Sequence, residues 1–491
     1  MHRKSFFRLV AGVPTLLAKL ASRLVFMREL PSIAVVAVVG FVIAIASLKS
    51  VYMGENLSQL NAAQFFLENT VPLTYWIGLA LLVSSVLLVK SSWDDRRIPG
   101  YVLLSSILLM TCMRAIVPLT VSKPFDIDVH DYIDWMEAWL REGIQLVPGH
   151  LIKTPLLYYY PNTHPVAFLV AYFFLKMGVP IDFFFKWAPF AIYAIDLCLV
   201  YLVSREINGG YAELAALSAF LAAPSSMAQV ITLFYSPHLL GSALLLLCLY
   251  LFLRMSEMRG RRMQMLILCV TTFIGVLLLV LTHALDTLYF IATVSGLVLL
   301  GWVLKLKGRG GVAVNFSAMW PIYAVAAWFV CANVLYRQKF EGWVTSVYQA
   351  LMGQFLHGYH AVNLTNLLGM GSIDQFSFLS YPSLVLGLAM YGIVQTKGRK
   401  LADPILLKTL GSIGLLGALF AFGLAARGVT YPLRIIELIC ILCCPLAAKA
   451  LAGLLSPDRP RIVRSFAGLA LVAVVLLSTH WMFRAIQRWV Y

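Results

Sequence analysis

Between about residue 31 and residue 482 the chain is a succession of apolar runs, most of them close to twenty residues long, separated by short segments that hold its lysines and arginines. Twenty residues at 1.5 Å each cover the roughly 30 Å hydrocarbon core of a bilayer. In lipid the backbone polar groups of such a run have no water to bond, so each run must satisfy them internally as a helix. With 61% hydrophobic and only 12% charged residues among 491, a soluble multidomain protein is excluded. The predicted fold class is therefore an all-α polytopic membrane protein, one domain over 1–491. The spacing predicts spans at roughly 31–49, 70–90, 99–119, 184–204, 211–231, 237–253, 264–281, 284–304, 318–335, 380–396, 405–426, 430–450 and 464–482, about thirteen helices.

A formal charge of +16 would suggest nucleic acid as the partner of a soluble chain. Here the basic residues collect at Lys90–Arg97, Arg254–Arg262, Lys305–Arg309, Lys397–Lys400 and Asp458–Arg464. That is the positive-inside pattern, so membrane lipid is the expected partner and nucleic acid is not. The first 29 residues, with Arg3, Lys4, Arg8, Lys19, Arg23 and Arg28, read as a cytoplasmic amphipathic lead-in. All eight cysteines fall inside apolar runs and read as small buried hydrophobes, with neither disulfide nor metal spacing. Counting from an inside N-terminus keeps every basic loop cytoplasmic only if the apolar piece at 161–178 does not cross. Its opening, Tyr160-Pro-Asn-Thr-His-Pro165, suits an interfacial or re-entrant segment. The expected location is a plasma, inner or endoplasmic-reticulum membrane.

On this count two large loops, 120–165 and 336–380, face the external or lumenal side. The first packs Asp126, Asp128, His130, Asp131, Asp134 and Glu137 into about a dozen positions. Val129, Ile133, Met136 and Leu140 recur at the spacing of one helical face, which predicts an amphipathic surface helix over 129–142. Asp128 falls where an N-cap belongs and Asp131 three residues on, so capping is the structural reading of both. Asp126 has no such role. In Tyr158–Pro165, the tyrosines Tyr159 and Tyr160 fit an interfacial belt, while Asn162 and His164 favour a site wall. The second loop carries Arg337 and His357, apolar residues at helical intervals from Trp343 to Leu356, and a glycine-containing stretch suited to a lid.

The same side receives Tyr235, His238, His283, Asp286, Arg427, Arg434 and Glu437. Charged groups at the ends of apolar runs, beside a cavity, are functional candidates because placing them in lipid costs roughly 2.5–3.5 kcal/mol at a helix centre. Arg434 and Glu437 stand three residues apart on one helical face, so an ion pair and the binding of an anionic substrate group both account for them. A lone histidine near a helix end is more often structural, which holds for His238 and His283 alike. Asp196, deep in a span, is expected to hydrogen-bond within the bundle.

Asp126-Ile-Asp128, Tyr132, the helix ending in Arg141-Glu-Gly143 and the Tyr159-Tyr-Pro161…Pro165 segment together resemble the GT-C superfamily of integral-membrane glycosyltransferases. The acidic pair is similar to that of its mannosyltransferase branches. The resemblance is best over 120–260, and two spans, where many relatives have a single one, precede the span that leads into the acidic loop. No large C-terminal globular domain is expected, which counts against an oligosaccharyltransferase. The resemblance implies a GT-C-like bundle and a donor sugar on polyprenyl or dolichyl phosphate. It also implies inverting transfer to an unspecified acceptor, with Asp126 or Asp128 as base and Tyr132, His130 and Asp131 near the substrate. A divalent cation, Mg or Mn, on the Asp-x-Asp pair stays open, since hard cations want more oxygens than two carboxylates give. The alternatives are an O-antigen ligase or polymerase relying on Arg337 and His357, and a secondary transporter, which would show an inverted repeat and mid-membrane charges.

Overall fold

In the computed structural model, residues 32–48, 71–87, 97–120, 127–143, 145–147, 150–153, 165–224, 235–257, 262–306, 372–396, 403–425, 432–456 and 458–490 are described. In chain order they form α1 (Ser32–Leu48), α2 (Leu73–Leu87), α3 (Ile98–Arg114), α4 (Ile116–Thr120), α5 (Ile127–Glu142), β1 (Gln145–Val147), β2 (His150–Lys153), α6 (Pro165–Lys176), α7 (Ile181–Ile207) and α8 (Ala212–Ala222). There follow α9 (Pro237–Glu257), α10 (Arg262–Thr282), α11 (Ala284–Leu306), α12 (Ser372–Thr396), α13 (Pro404–Ala425), α14 (Pro432–Leu455) and α15 (Arg461–Val490).

Seven of these helices are long and apolar enough to cross a bilayer, and six more are apolar but shorter. The chain is a multi-pass, all-α membrane protein. Leucines, isoleucines and phenylalanines such as Phe173, Phe183, Ile195, Leu266 and Phe466 face outward, which in lipid carries no hydrophobic penalty. The exception to the all-helical expectation is a small antiparallel hairpin in the first loop, pairing Gln145 with Lys153 and Val147 with His150.

The core joins two groups of helices. α1, α2 and α3 pack together and against α15, while α7, α8, α9, α11, α13 and α14 surround the interior, with α8 between α3, α7 and α14. α6, the segment at 161–178 expected not to cross, is 12 residues; at 1.5 Å per residue it is about 18 Å long, well short of the hydrocarbon core.

α5 is amphipathic, as its spacing predicts, but its deepest face is aromatic. Tyr132, Trp135 and Trp139 are buried with Val129 and Met136, while Ile133 and Leu140 are only partly covered. The ring of Phe168 on α6 meets Tyr132 at 5.3 Å, Trp135 at 5.7 Å and Trp139 at 6.2 Å between centroids. Asp134, Glu137, Arg141 and Glu142 on the other face are exposed. The helix opens at Ile127, so Asp128 stands inside the first turn and not at the N-cap position expected of it. Gly143, at φ +77°, ends the helix, its N–H donating to the Trp139 carbonyl at 2.9 Å.

The expected second loop, 336–380, is shorter than predicted. Residues 372–380 already belong to α12, with Pro382 inside the helix, as Pro189 and Pro445 lie inside α7 and α14. Proline reads as a boundary in a soluble chain, but neighbouring helices in a membrane bundle absorb the freed backbone group. The predicted span at 318–335 and the rest of that loop lie outside the described residues.

Candidate functional site

A largely apolar cavity of about 90 Å³ opens at one end of the bundle, lined by the C-terminal ends of α3 and α8, the middle of α7 and the N-terminal parts of α9, α11 and α14. It gathers Arg114, Tyr193, Asp196, His238, Ser242, Asp286, Tyr289, Arg434 and Glu437 on walls otherwise made of leucine, valine, isoleucine, alanine and methionine. Its charged groups thus sit in a low-dielectric frame where they act more strongly than in water.

The centre of the polar wall is Asp286. It is 1% exposed in the first turn of α11, and its Oδ2 lies 3.0 Å from His238 Nδ1 and 2.8 Å from His283 Nδ1. His238 comes from the start of α9 and His283 from the turn between α10 and α11, so three short segments meet at one carboxylate oxygen. The approach depends on Gly241, one turn beyond His238: a Cβ there would run into the Asp286 carboxylate and lie 2.8 Å from the His283 Cβ. His283 lies between two apolar spans, and burial, against the opposing pull of Asp286, pushes its imidazole down to about 4. Near neutral pH that ring is uncharged. Among the described residues, His238, His283 and Asp286 form the one His/Cys/Asp/Glu group arranged to hold a metal ion.

Asp196 makes the hydrogen bond expected of it, its Oδ2 accepting from Ser242 Oγ at 3.2 Å. Its other oxygen, Oδ1, is buried without a hydrogen-bond partner. Arg114, not singled out by the sequence reading, is buried at the end of α3 with its guanidinium carbon 3.5 Å from the centre of the Tyr193 ring. The signal was present, since a lone arginine closing an apolar run is costly unless it faces a cavity.

The acidic loop joins the same end of the bundle. Tyr235, two residues before α9, donates its hydroxyl to the Ala167 carbonyl at 2.6 Å and its N–H to the Phe185 carbonyl at 3.0 Å. Ala167 adjoins Phe168, on which α5 rests. Tyr132 and Tyr235 are therefore taken up in the packing that carries α5 to the cavity end. Asp128, His130 and Asp131 lie in the first turns of α5. Asp126, Tyr159, Tyr160, Asn162, His164, Arg337, His357 and Arg427 lie outside the described residues.

No protein-family model and no curated protein matches the chain. Solved structures do match. The oligosaccharyltransferase of Archaeoglobus fulgidus in complex with Zn and sulfate superposes with a TM-score of 0.50 at 15% identity, over 79% of this chain and 53% of that one. The same archaeal enzyme, AglB, in complex with an inhibitory peptide and a dolichol-phosphate, gives a TM-score of 0.50 at 13% identity, over 82% and 56%. The likeness is one of fold. The chain spans a little over half the length of the solved proteins it matches.

Proposed function

We propose that this protein transfers a sugar from a polyprenyl- or dolichyl-phosphate carrier to an acceptor hydroxyl at the external or lumenal membrane face. The observation that carries the reading is the placement of a charged, apolar-walled cavity at the bundle end on which α5, with Asp128 in its first turn, is docked. The fold shared with a solved archaeal oligosaccharyltransferase, itself captured with a dolichol-phosphate, supports it.

The reaction is an inverting single displacement. The acceptor oxygen forms its bond to the anomeric carbon as the bond from that carbon to the carrier phosphate oxygen breaks. The acceptor proton passes to a carboxylate, Asp126 or Asp128, and the carrier phosphate leaves with the electron pair. A hydroxyl is a poor nucleophile and requires the base. The phosphate needs charge stabilisation more than protonation, which Arg434 at the mouth of α14 supplies, with Arg337 and Arg427 as further candidates. Glu437, one turn on, orients that arginine.

The test is transfer from a synthetic polyprenyl-phosphate sugar in reconstituted vesicles. The double variant Asp126→Ala/Asp128→Ala is expected to lose transfer completely while eluting as a single monodisperse species. Full activity in that variant overturns the reading.

A further inference from the structure

We propose that His238, His283 and Asp286 form a binding site for a single divalent transition-metal ion of the zinc class, held by the two Nδ1 atoms and a carboxylate oxygen. The site is distinct from the Asp126/Asp128 pair and does not require the sugar-transfer reading.

Geometry is the first argument. The three ligand atoms lie within 4.8 Å of one another, and the two nitrogen-to-oxygen separations are 3.0 and 2.8 Å. Ligand atoms around a tetrahedral zinc, at about 2.0–2.1 Å from it, stand roughly 3.3 Å apart. The two nitrogen-to-oxygen separations would lengthen by a few tenths of an ångström to seat such an ion. Both imidazoles present Nδ1 to the same oxygen, His238 from the start of α9 and His283 from the turn before α11.

The donor set then selects the metal. Two imidazoles and one carboxylate suit zinc and its neighbours, whereas Mg²⁺ and Ca²⁺ prefer all-oxygen shells of six or more. Three protein ligands leave at least one coordination position open, as in zinc sites that bind water or an anion. Here His238 and Asp286 line the cavity, so an open position on their side faces it.

The cavity lining supplies a second argument. Asp196, Asp286 and Glu437 line it together with Arg114 and Arg434. The Oδ1 atom of Asp196, buried on the same wall without a hydrogen-bond partner, adds a further oxygen toward which a cation is drawn. Gly241 completes the site by keeping side-chain atoms away from the Asp286 carboxylate.

The test is metal binding by the full-length protein in detergent, stripped with a chelator and without any substrate. Zn²⁺ is titrated against a competing chromophoric chelator, and Co²⁺ is followed by its visible d–d bands. One ion per chain is expected, with a nitrogen-ligated tetrahedral cobalt spectrum. His283→Ala, Asp286→Asn and His238→Gln are each expected to weaken binding on the order of 100-fold or more, while Asp126→Ala/Asp128→Ala keeps it. Should Asp286→Asn fail to fold, His238→Gln, at the cavity edge, carries the test, with monodisperse elution as the folding check. The proposal is overturned if the stripped wild type binds no more Zn²⁺ than a His238→Gln/His283→Ala variant, or if binding is lost with the Asp126/Asp128 pair instead. Absence of transfer by the wild-type protein, with metal binding intact, would count against the proposed reaction alone.

Discussion

At the residue scale, the sequence made Asp286, Arg434 and Glu437 visible, because charge at the edge of an apolar run is expensive and therefore purposeful. It made His238 and His283 visible only as isolated residues. Their meeting at one oxygen depends on α9 and α11 packing side by side, and nothing local announces a contact across 48 positions. Gly241 was silent for the same reason: its significance is the carboxylate that occupies the space its side chain would take. Gly241→Ala is accordingly expected to displace Asp286 and to destabilise the fold by about 1–3 kcal/mol, as overpacking of a filled interior does. A fall in the apparent Tm of the detergent-solubilised protein, with transfer reduced, checks it. Arg434 gives a second residue-scale prediction. If it stabilises the departing phosphate, Arg434→Ala lowers kcat on the order of 10²–10³-fold, with KM changed much less, and Arg434→Lys recovers part of the loss. Equal activity of the alanine variant would remove Arg434 from the reaction.

At the element scale, the amphipathic α5 was legible because a 3.6-residue period survives any tertiary context. Which apolar residues lie deepest was not, since the answer belongs to the partner: Phe168 on α6 offers one ring to Tyr132, Trp135 and Trp139. α12 starts at Ser372, ahead of the span predicted from residue 380, and Pro382 lies inside the helix. Phe168→Ala should empty the centre of the aromatic cluster, a truncation that typically costs about 3–5 kcal/mol in a packed interior. Because α5 is held to the bundle mainly through α6, the loss is expected to free α5 and not to unfold the spans. Hydrogen exchange of the peptide covering 127–142 should rise sharply while that of α9 and α14 stays protected. Uniform exchange across the protein would show that α5 is not a separately docked element.

At the scale of the whole molecule, the two ends of the bundle differ in chemistry. One end holds the cavity, α5 and the histidine–aspartate cluster. The other holds ion pairs beside exposed basic groups: Arg254 Nη1 lies 3.4 Å from Glu206 Oε1, Lys408 donates to the Glu206 carbonyl at 2.6 Å, and Lys449 pairs with Asp403. The composition alone disclosed the membrane class and the excess of basic residues in short turns, and the positive-inside rule turns that excess into an orientation. Two markers read that orientation directly. Asp128→Cys belongs to the cavity end and Arg205→Cys, exposed near the end of α7, to the basic end. The native cysteines described are mostly buried, so a membrane-impermeant maleimide applied to sealed, oriented vesicles reports mainly the introduced thiols. Asp128→Cys should react from the external side only and Arg205→Cys only after the cytosolic side is opened. The reverse pattern would put the acidic loop where a lipid-linked donor on the external leaflet cannot reach it, and the proposed transfer would have no route to its substrate.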